Sequence, residues 1–457
     1  MMRSLFSGVA GLRTHQTRMD VIGNNIANVN TTAYKSQSMT FSDLMYQTTQ
    51  AASGANPTTG VGGINARQIG LGSKTAAIKT AISQPGSYQT TNDAFDVMIT
   101  GDAFFIVGNG RVSEKYFTRD GSFYIDGAGN LAMTSTGYNV MGWGVDPDNP
   151  TQIKRDTVQP LVIMTPENMN SDPAATTDAT ASGVVDKFDT DVNGDGRVMD
   201  LEFYDKQGYR YTARVKLKAV QPTAGSTTPT GSDNGEFTVE LDKILDPDGK
   251  EIDLTGITLG GQAQGAAVKL KYDATNGKFQ YVGAEGQKTI ELAFTGDKNG
   301  HFGNINIDFS GTSNYNADGV STMGVEKGVP GGKGTGYAAG EMSGVNIQKD
   351  GKIYATYDNG QEKLLGQIAV ATFANPSGLA KEGDNLYTAT MNSGEFNGIG
   401  EDITKSGYMT SGVLEMSNVD LAAEFTEMIT TQRGFQANSR IITVSDTLLE
   451  ELTNLKR

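Results

Sequence analysis

Twelve consecutive residues, Asp191 to Glu202, fit the pattern D-x-[DN]-x-[DN]-G-x5-E in full. Such a loop suits a hard divalent cation. Oxygens of Asp191, Asn193 and Asp195, the carbonyl of Arg197 and both carboxylate oxygens of Glu202 would surround calcium, and Gly196 would permit the sharp turn. Val198 supplies the usual apolar anchor, but Met199 offers no ligand at the ninth position. The flanks are not those of a helix–loop–helix calcium site. Ser182-Gly183-Val184-Val185 is a poor helix, and the residues after Glu202 alternate as a strand. A second reading therefore stands beside the first: Asn-Gly-Asp-Gly is also preferred hairpin-loop chemistry. A bound calcium would stiffen the loop and perform no reaction; no cofactor is required.

Other reactive material is sparse. There are two histidines and no cysteine, so Cys–His pairs are excluded, and a Ser–His–Asp triad would have to recruit His15 or His301. His15 falls on a helical seam, where a packed ring is expected, and His301 sits in the turn Gly300-His301-Phe302-Gly303. Gly331-Gly332-Lys333-Gly334-Thr335-Gly336 lacks phosphate-loop spacing and no helix follows it, so it reads as a linker. Only carboxylates not yet placed in space leave room for a hydrolase, and no enzyme is expected. The net charge of −15 argues against nucleic acid. No apolar run approaches the ~18 residues of a membrane span. Met1 to Ala10 lacks the apolar core and cleavage site of a secretory signal.

The elements that must position these residues fall into two kinds. Leu5, Leu12, Met19 and Ile26 recur every seven residues, with Ile22 on the same face. Leu421, Met428, Phe435, Ile442 and Leu449 repeat that period near the other end. A seven-residue apolar repeat makes a narrow helical seam that needs a partner, so these ten residues form the expected assembly seam. The first helix is expected over 4–29 with Ser4 as N-cap, and the second from near Asn418 to Leu455, capped by Ser417 or Asn418. Residues 1–35 carry net charge +3 and residues 415–457 carry −3, which is consistent with the two ends pairing. The asparagines of 23–30 read as caps and turns, or as groups reaching a neighbouring helix.

Between the helices the 58 glycines and alternating apolar residues indicate β-structure. The fold class is multidomain and mainly β, with a coiled-coil-like helical domain from both chain ends and nested β-domains. The expected division is a helix over 1–30, an extended linker over 31–70, a middle β-domain over 71–150 and 335–414, and an inserted outer β-domain over 151–334 of one or two lobes. The C-terminal helix of 415–457 completes the helical domain. Tyr116–Arg119 and Phe123–Ile125 are expected to form a hairpin at Asp120-Gly121.

Several ordered motifs carry a resemblance. Ser7-Gly8-Val9-Ala10-Gly11-Leu12 and Asp20-Val21-Ile22-Gly23-Asn24-Asn25-Ile26-Ala27-Asn28-Val29-Asn30-Thr31 are followed by Tyr34-Lys35. Ile99-Thr100-Gly101-Asp102-Ala103-Phe104-Phe105 and Phe117-Thr118-Arg119-Asp120-Gly121-Ser122-Phe123 lie further on. Leu414-Glu415-Met416-Ser417-Asn418-Val419-Asp420-Leu421, Gln432-Arg433 and Asn454-Leu455-Lys456-Arg457 close the set. Together they resemble the bacterial flagellar hook proteins, within the rod, hook and hook-associated axial family, over roughly 1–145 and 340–457. The insertion resembles them only at Phe203-Tyr204-Asp205-Lys206-Gln207-Gly208. Ala33 and Ala103 stand where the family usually has glycine, and at φ > 0 an alanine would cost about 1 kcal/mol.

The resemblance implies a homo-oligomeric helical tube, curved and acting as a universal joint between rotary motor and filament. It implies partners in the distal rod, hook cap, hook–filament junction and export apparatus, and no membrane insertion. It implies location in the hook and basal body outside the cell, reached without a cleaved signal. The rival within the family is a distal rod protein. A rival of another class is a secreted, calcium-binding, β-rich adhesin, which would explain acidity and the Asp191 loop but not paired helical seams.

Overall fold

The computed structural model describes residues 2–54, 60, 62–109, 114–220, 234–253, 255–295 and 300–455. The chain divides into two compact units. The first comprises Met1–Asn168, Val345–Ala355 and Lys363–Arg457; the second comprises Met169–Gly344 and Thr356–Glu362. The boundary expected at 151 thus falls at 169, because Asn149–Ile153 folds back on Asn139–Asp146 as an antiparallel hairpin and Val158 joins the first unit's core. Pro150 lies at the start of a short strand, where a missing donor is tolerated.

In the first unit, helix α1 spans Met2–Ala27 and helix α2 spans Leu421–Asn454, and they pack together. Both start apart from the expected positions. Ser4 lies inside α1, and the N-cap of α2 is Asp420, whose carboxylate accepts from the N–H groups of Ala422 and Ala423. The described residues of the expected linker form a β-arm, and 55–59 and 61 lie outside the described residues. Gln37–Asp43 pairs antiparallel with Ser73–Thr80, and Tyr46–Gln50 with Arg67–Gly70. Its strands expose most of both faces, so no period-2 burial signal marks them in the sequence.

The β-portion of this unit is built on Phe104–Gly108, where every residue is buried. Phe104 and Ile106 join Phe117, Met141, Trp143 and Tyr387 in one core. The Asp120-Gly121 hairpin does not form. Lys115–Thr118 pairs with Phe104–Gly108 and Leu386–Thr388, while Phe123–Ile125 pairs with Leu131–Met133 across the Gly127–Asn130 turn. Gly121 instead permits close approach: a Cβ there would lie 1.7 Å from the Val97 carbonyl oxygen.

The second unit is a sandwich. Arg197–Tyr204, Arg210–Ala219, Glu236–Leu245, Val268–Tyr272 and Phe279–Val282 form one antiparallel sheet. The other sheet holds Ile257–Leu259, Thr289–Phe294, Ile305–Ser313, Asp178–Val184 and Gly324–Lys327, with a parallel pair between 178–184 and 305–313. Inward-facing Leu201, Phe203, Val215 and Leu217 meet Leu259, Leu292, Ile307 and Phe309 in a single core. The outward alternates carry ion pairs, such as Lys216 with Asp242 at 2.8 Å. No described helix is long and apolar enough to cross a membrane.

Candidate assembly interface

The α1–α2 pair is antiparallel and close because glycines line it. A Cβ on Gly11 would come within 2.8 Å of the Asn438 side chain, and one on Gly434 within 2.6 Å of the His15 ring. The three glycines inside α1 each weaken it by about 1 kcal/mol relative to alanine, so tertiary packing holds the helix. His15 also tilts against Phe41 of the arm at 5.5 Å. Burial, and then the neighbouring Arg18 charge, hold its pKa below the ordinary histidine value. Arg18 pairs with Glu427 at 2.9 Å, an exposed contact worth little.

Asn25, fully buried, is the polar hub of the seam. Its amide donates to Glu424 at 2.8 Å and to the Gln37 carbonyl at 2.7 Å, and its oxygen accepts from the Gln37 N–H and the Tyr34 hydroxyl. Of the two readings of the asparagine cluster, reaching across to another helix describes Asn25. Capping describes Asn28, whose amide donates to the Asn24 carbonyl. Burial raises the pKa of Glu424, and the Asn25 hydrogen bond opposes that rise. Glu424 Oε2, Thr431 Oγ1 and His15 Nδ1 are buried without a hydrogen-bond partner. The helix pair is therefore a polar, under-satisfied seam.

The residues expected to form an assembly seam are used within one chain. Ile22 is buried, and Leu5, Leu12, Met19 and Ile26 are half-buried. Met428, Phe435, Ile442 and Leu449 are half-buried on the same face of α2 as the buried Thr431 and Ser445; Leu421 is exposed. The two ends therefore pack on each other within one chain and leave eight of the ten seam residues half-buried and Leu421 exposed. What remains open is a different surface. Phe425, Ile429, Ile441, Val444, Leu448 and Leu452 project from α2 into solvent, and Leu455 is 82% exposed. Unpartnered apolar area of this extent on one helix is an interaction surface.

Both helices are anchored to the β-portion by a buried ion cluster. The Lys35 ammonium donates to Glu415 Oε1 at 2.7 Å and to the Gln84 carbonyl at 2.7 Å. The Gly86 N–H donates to the same carboxylate oxygen, and Arg119 Nη1 lies 3.7 Å from the other. Arg119 sits over the Phe104 ring. Burial drives the Lys35 pKa down, and the Glu415 charge opposes it; burial likewise lowers Arg119. Beside the cluster, Asn418 accepts from the Ser36 N–H and donates to the Ala81 and Gln84 carbonyls. Ala33 adopts φ +54°, donating its N–H to the Glu415 carbonyl, whereas Ala103 shows no positive φ. Sequence reasoning missed Lys35, Arg119 and Glu415 as a unit; their only signal was that each lies within one of the quoted motifs, Lys35 after the first helix and Glu415 before the second.

In the second unit the twelve-residue motif does not gather into a coordination sphere. Glu202 lies on a straight strand, paired across from Thr212, with Arg197 paired across from Leu217. At ~3.3 Å per residue those two positions are about 16 Å apart. Asp191 and Asp195 point to solvent, the Asn193 amide donates to the Lys187 carbonyl, and Glu202 sits 3.7 Å from Arg210. Among the described residues no group of three or more His, Asp or Glu side chains could hold a metal ion. The carboxylates that matter here are two the motif omits. Asp186 accepts from the N–H groups of Phe188, Ala317 and Gly319, and Asp189 from those of Asp191 and Ser321. Burial raises both pKa values, but these donors outweigh it and the net shift is downward. The 331–336 loop folds against 174–178 through the Thr177 and Asp178 N–H groups on the Gly334 carbonyl. His301 lies in the irregular stretch before Ile305–Ser313.

Three sequence families match the chain: flagella basal body rod protein over 5–35, flagellar hook protein FlgE/F/G D1 domain over 98–185, and flagellar basal body rod FlgEFG protein C-terminal over 410–455. The chain is 34% identical to the flagellar hook protein FlgE of Treponema pallidum, covering 100% of both chains. It is 35% identical to FlgE of Borreliella burgdorferi, again over 100% of both. It is 29% identical to the flagellar basal-body rod protein FlgG of Bacillus subtilis, with 100% of both covered.

Proposed function

The chain belongs to the flagellar hook protein FlgE family and is a structural subunit of the flagellar hook and basal body, and from that premise we propose that it builds the hook tube itself. In this reading copies polymerise through their helical ends into a curved tube that passes motor torque to the filament as a universal joint. The tube joins the distal rod at one end and the cap and hook–filament junction proteins at the other. Subunits arrive through the flagellar export apparatus, and the role is structural. The observation that carries the reading is the exposed apolar surface of α2, in two patches at Phe425 with Ile429 and from Ile441 to Leu455, which its own chain leaves open.

A tube needs only one heterologous contact whose rotation does not close on itself. Supporting the universal-joint role, the β-units could shift against their neighbours while anchored helices hold torque; the Lys35–Glu415–Arg119 cluster is that anchor. The rod alternative draws on the full-length match to FlgG. Electron microscopy of purified protein over a concentration series tests both. Curved tubes support the hook, short straight tubes favour the rod, and a chain lacking residues 420–455 that polymerises equally well refutes assembly through α2.

A further inference from the structure

The sandwich of the second unit carries a cavity of about 360 Å³, walled by the segments 186–188, 273–277 and 314–316. These follow the strands Asp178–Val184, Val268–Tyr272 and Ile305–Ser313, and the parallel pairing of the first and third brings their C-terminal ends to one edge. The walls are tied together. Asp186 is buried and accepts from the Phe188 N–H on its own segment and from the Ala317 and Gly319 N–H groups beyond the third. Gly277, at φ +66°, lets the second and third segments touch: a Cβ there would overlap the Asn314 carbonyl oxygen and lie 2.8 Å from the Tyr315 ring. The Asn314 N–H donates to the Gly277 carbonyl at 2.8 Å.

This fixed frame presents aromatic rings beside polar groups that the fold does not use. Phe188 is 70% exposed and Tyr315 48% exposed. Among the described residues nothing hydrogen-bonds the Asn314 carboxamide or the Tyr315 hydroxyl, and Asn316 uses only its oxygen, which accepts from the Asp318 N–H. Asp273 adds a carboxylate whose Oδ1 takes the N–H and hydroxyl of Thr275. The ligand class follows by elimination. Two carboxylates, Asp186 and Asp273, against the one lysine of the lining, Lys187, disfavour an anion. A cation finds the Asp186 oxygens spent on three N–H donors, and among the described residues no acidic group of three gathers here. A wholly apolar molecule would strand the carboxamides. A pyranose satisfies both halves: its C–H face packs on an aromatic ring, and its hydroxyls donate and accept as a carboxamide does. The volume lies just above the ~300 Å³ lower limit of small-molecule sites, which suits a small ligand of this kind.

We infer that this loop cluster is a saccharide-binding site, taking a neutral pyranose with its C–H face against the Phe188 and Tyr315 rings and its hydroxyls on Asn314, Asn316 and Asp273. The site lies wholly within the second unit and is independent of how copies assemble. Its walls are set before the ligand arrives, because Asp186 and Gly277 fix the segments from within the chain, so little ordering is needed on binding. A free sugar and one ring of a glycan chain share this chemistry.

Saturation-transfer difference NMR on the full-length chain, irradiating aromatic protons, tests the site with the methyl glycosides of glucose, galactose, mannose and N-acetylglucosamine as separate probes. At least one should give saturable transfer with a Kd on the order of 1 mM, strongest at the protons of one ring face. Phe188→Ala and Asn314→Ala should each weaken that binding by roughly tenfold, while near-ultraviolet dichroism shows the second unit still folded. Tyr315→Phe keeps the ring and should cost only about threefold. A tetrasaccharide of the responding sugar that binds roughly tenfold tighter or more supports a glycan chain as the ligand, and equal binding supports a single free or terminal ring. No saturable transfer from any probe at concentrations on the order of 50 mM overturns the site. Transfer that survives both Phe188→Ala and Asn314→Ala places the sugar elsewhere and overturns it as well.

Discussion

Replacing Glu415 with alanine isolates the ion cluster that fixes both helices to the β-portion. Lys35 and Glu415 are 380 residues apart, and both side chains are essentially inaccessible, as is Arg119. Glu415→Ala would strand two buried cations. Lys35 would keep only the Gln84 carbonyl, and Arg119 the carbonyls of Ile99 and Gly101. Breaking a buried pair from one side costs about 3–5 kcal/mol. At a urea m-value of about 3 kcal/mol/M, that lowers the unfolding midpoint by about 1–1.7 M. The chain's one tryptophan, Trp143, is buried in the same unit's core and bonds the Asp156 and Ile399 carbonyls, so its fluorescence reads this unit alone.

The pH dependence sharpens the test. Burial already holds the Lys35 pKa below its ordinary value, and losing the carboxylate lowers it further. A base whose folded pKa lies below the unfolded one binds fewer protons when folded, so stability rises with pH between the two values. The variant should therefore lose most at neutral pH and approach wild type as pH rises towards about 10. Lys35→Met/Glu415→Leu should be less destabilised than Glu415→Ala, because only Arg119 is left unmatched. A midpoint shift under about 0.3 M, or a deficit that does not narrow with pH, would refute this account of the anchor.

Three further outcomes are expected. Ala33→Gly should stabilise the first unit by up to about 1 kcal/mol, since Ala33 sits at φ +54° where a Cβ is strained; a lower urea midpoint would contradict that. Calorimetric titration of the intact chain with calcium should give no heat and no change in Tm, because Glu202 is held on its strand away from Asp191; saturable heat abolished by Glu202→Gln would reverse this. The carboxylates of Asp186 and Asp189 have folded pKa values below the unfolded ones, so their stabilisation is present above about pH 4 and disappears as pH falls through the folded values. Asp186→Asn should therefore flatten the acid limb of second-unit unfolding, followed by near-ultraviolet dichroism, and lower stability at pH 7 by about 2 kcal/mol; an unchanged acid limb would count against the clamp.

What could be read from the residues divides along the range of the forces involved. The seven-residue repeats were legible because helical period is local, and so was the mainly β middle, where Leu217, Val215 and Ala213 alternate as the sandwich core requires. The arm was not legible. Its strands face solvent on both sides, and period is a signature of one-sided burial, so Thr, Gln and Ala in ordered strands look the same as a linker. The calcium motif was ambiguous for a different reason. Asp, Asn and Gly at a turn satisfy backbone donors as readily as a cation, and Asp189 does so by capping the short helical turn Thr190–Asn193. The seam was legible as period but not as partner. Heptad spacing states that a face will be covered and is silent about whose helix covers it. Here α1 and α2 close each other's repeat with Asn25, Glu424 and Thr431 in the seam, a polar choice that limits how firmly they bind. Exposed apolar residues remain towards both ends of α2, Phe425 with Ile429 and then Ile441 to Leu455, and their apolar free energy is available to another copy.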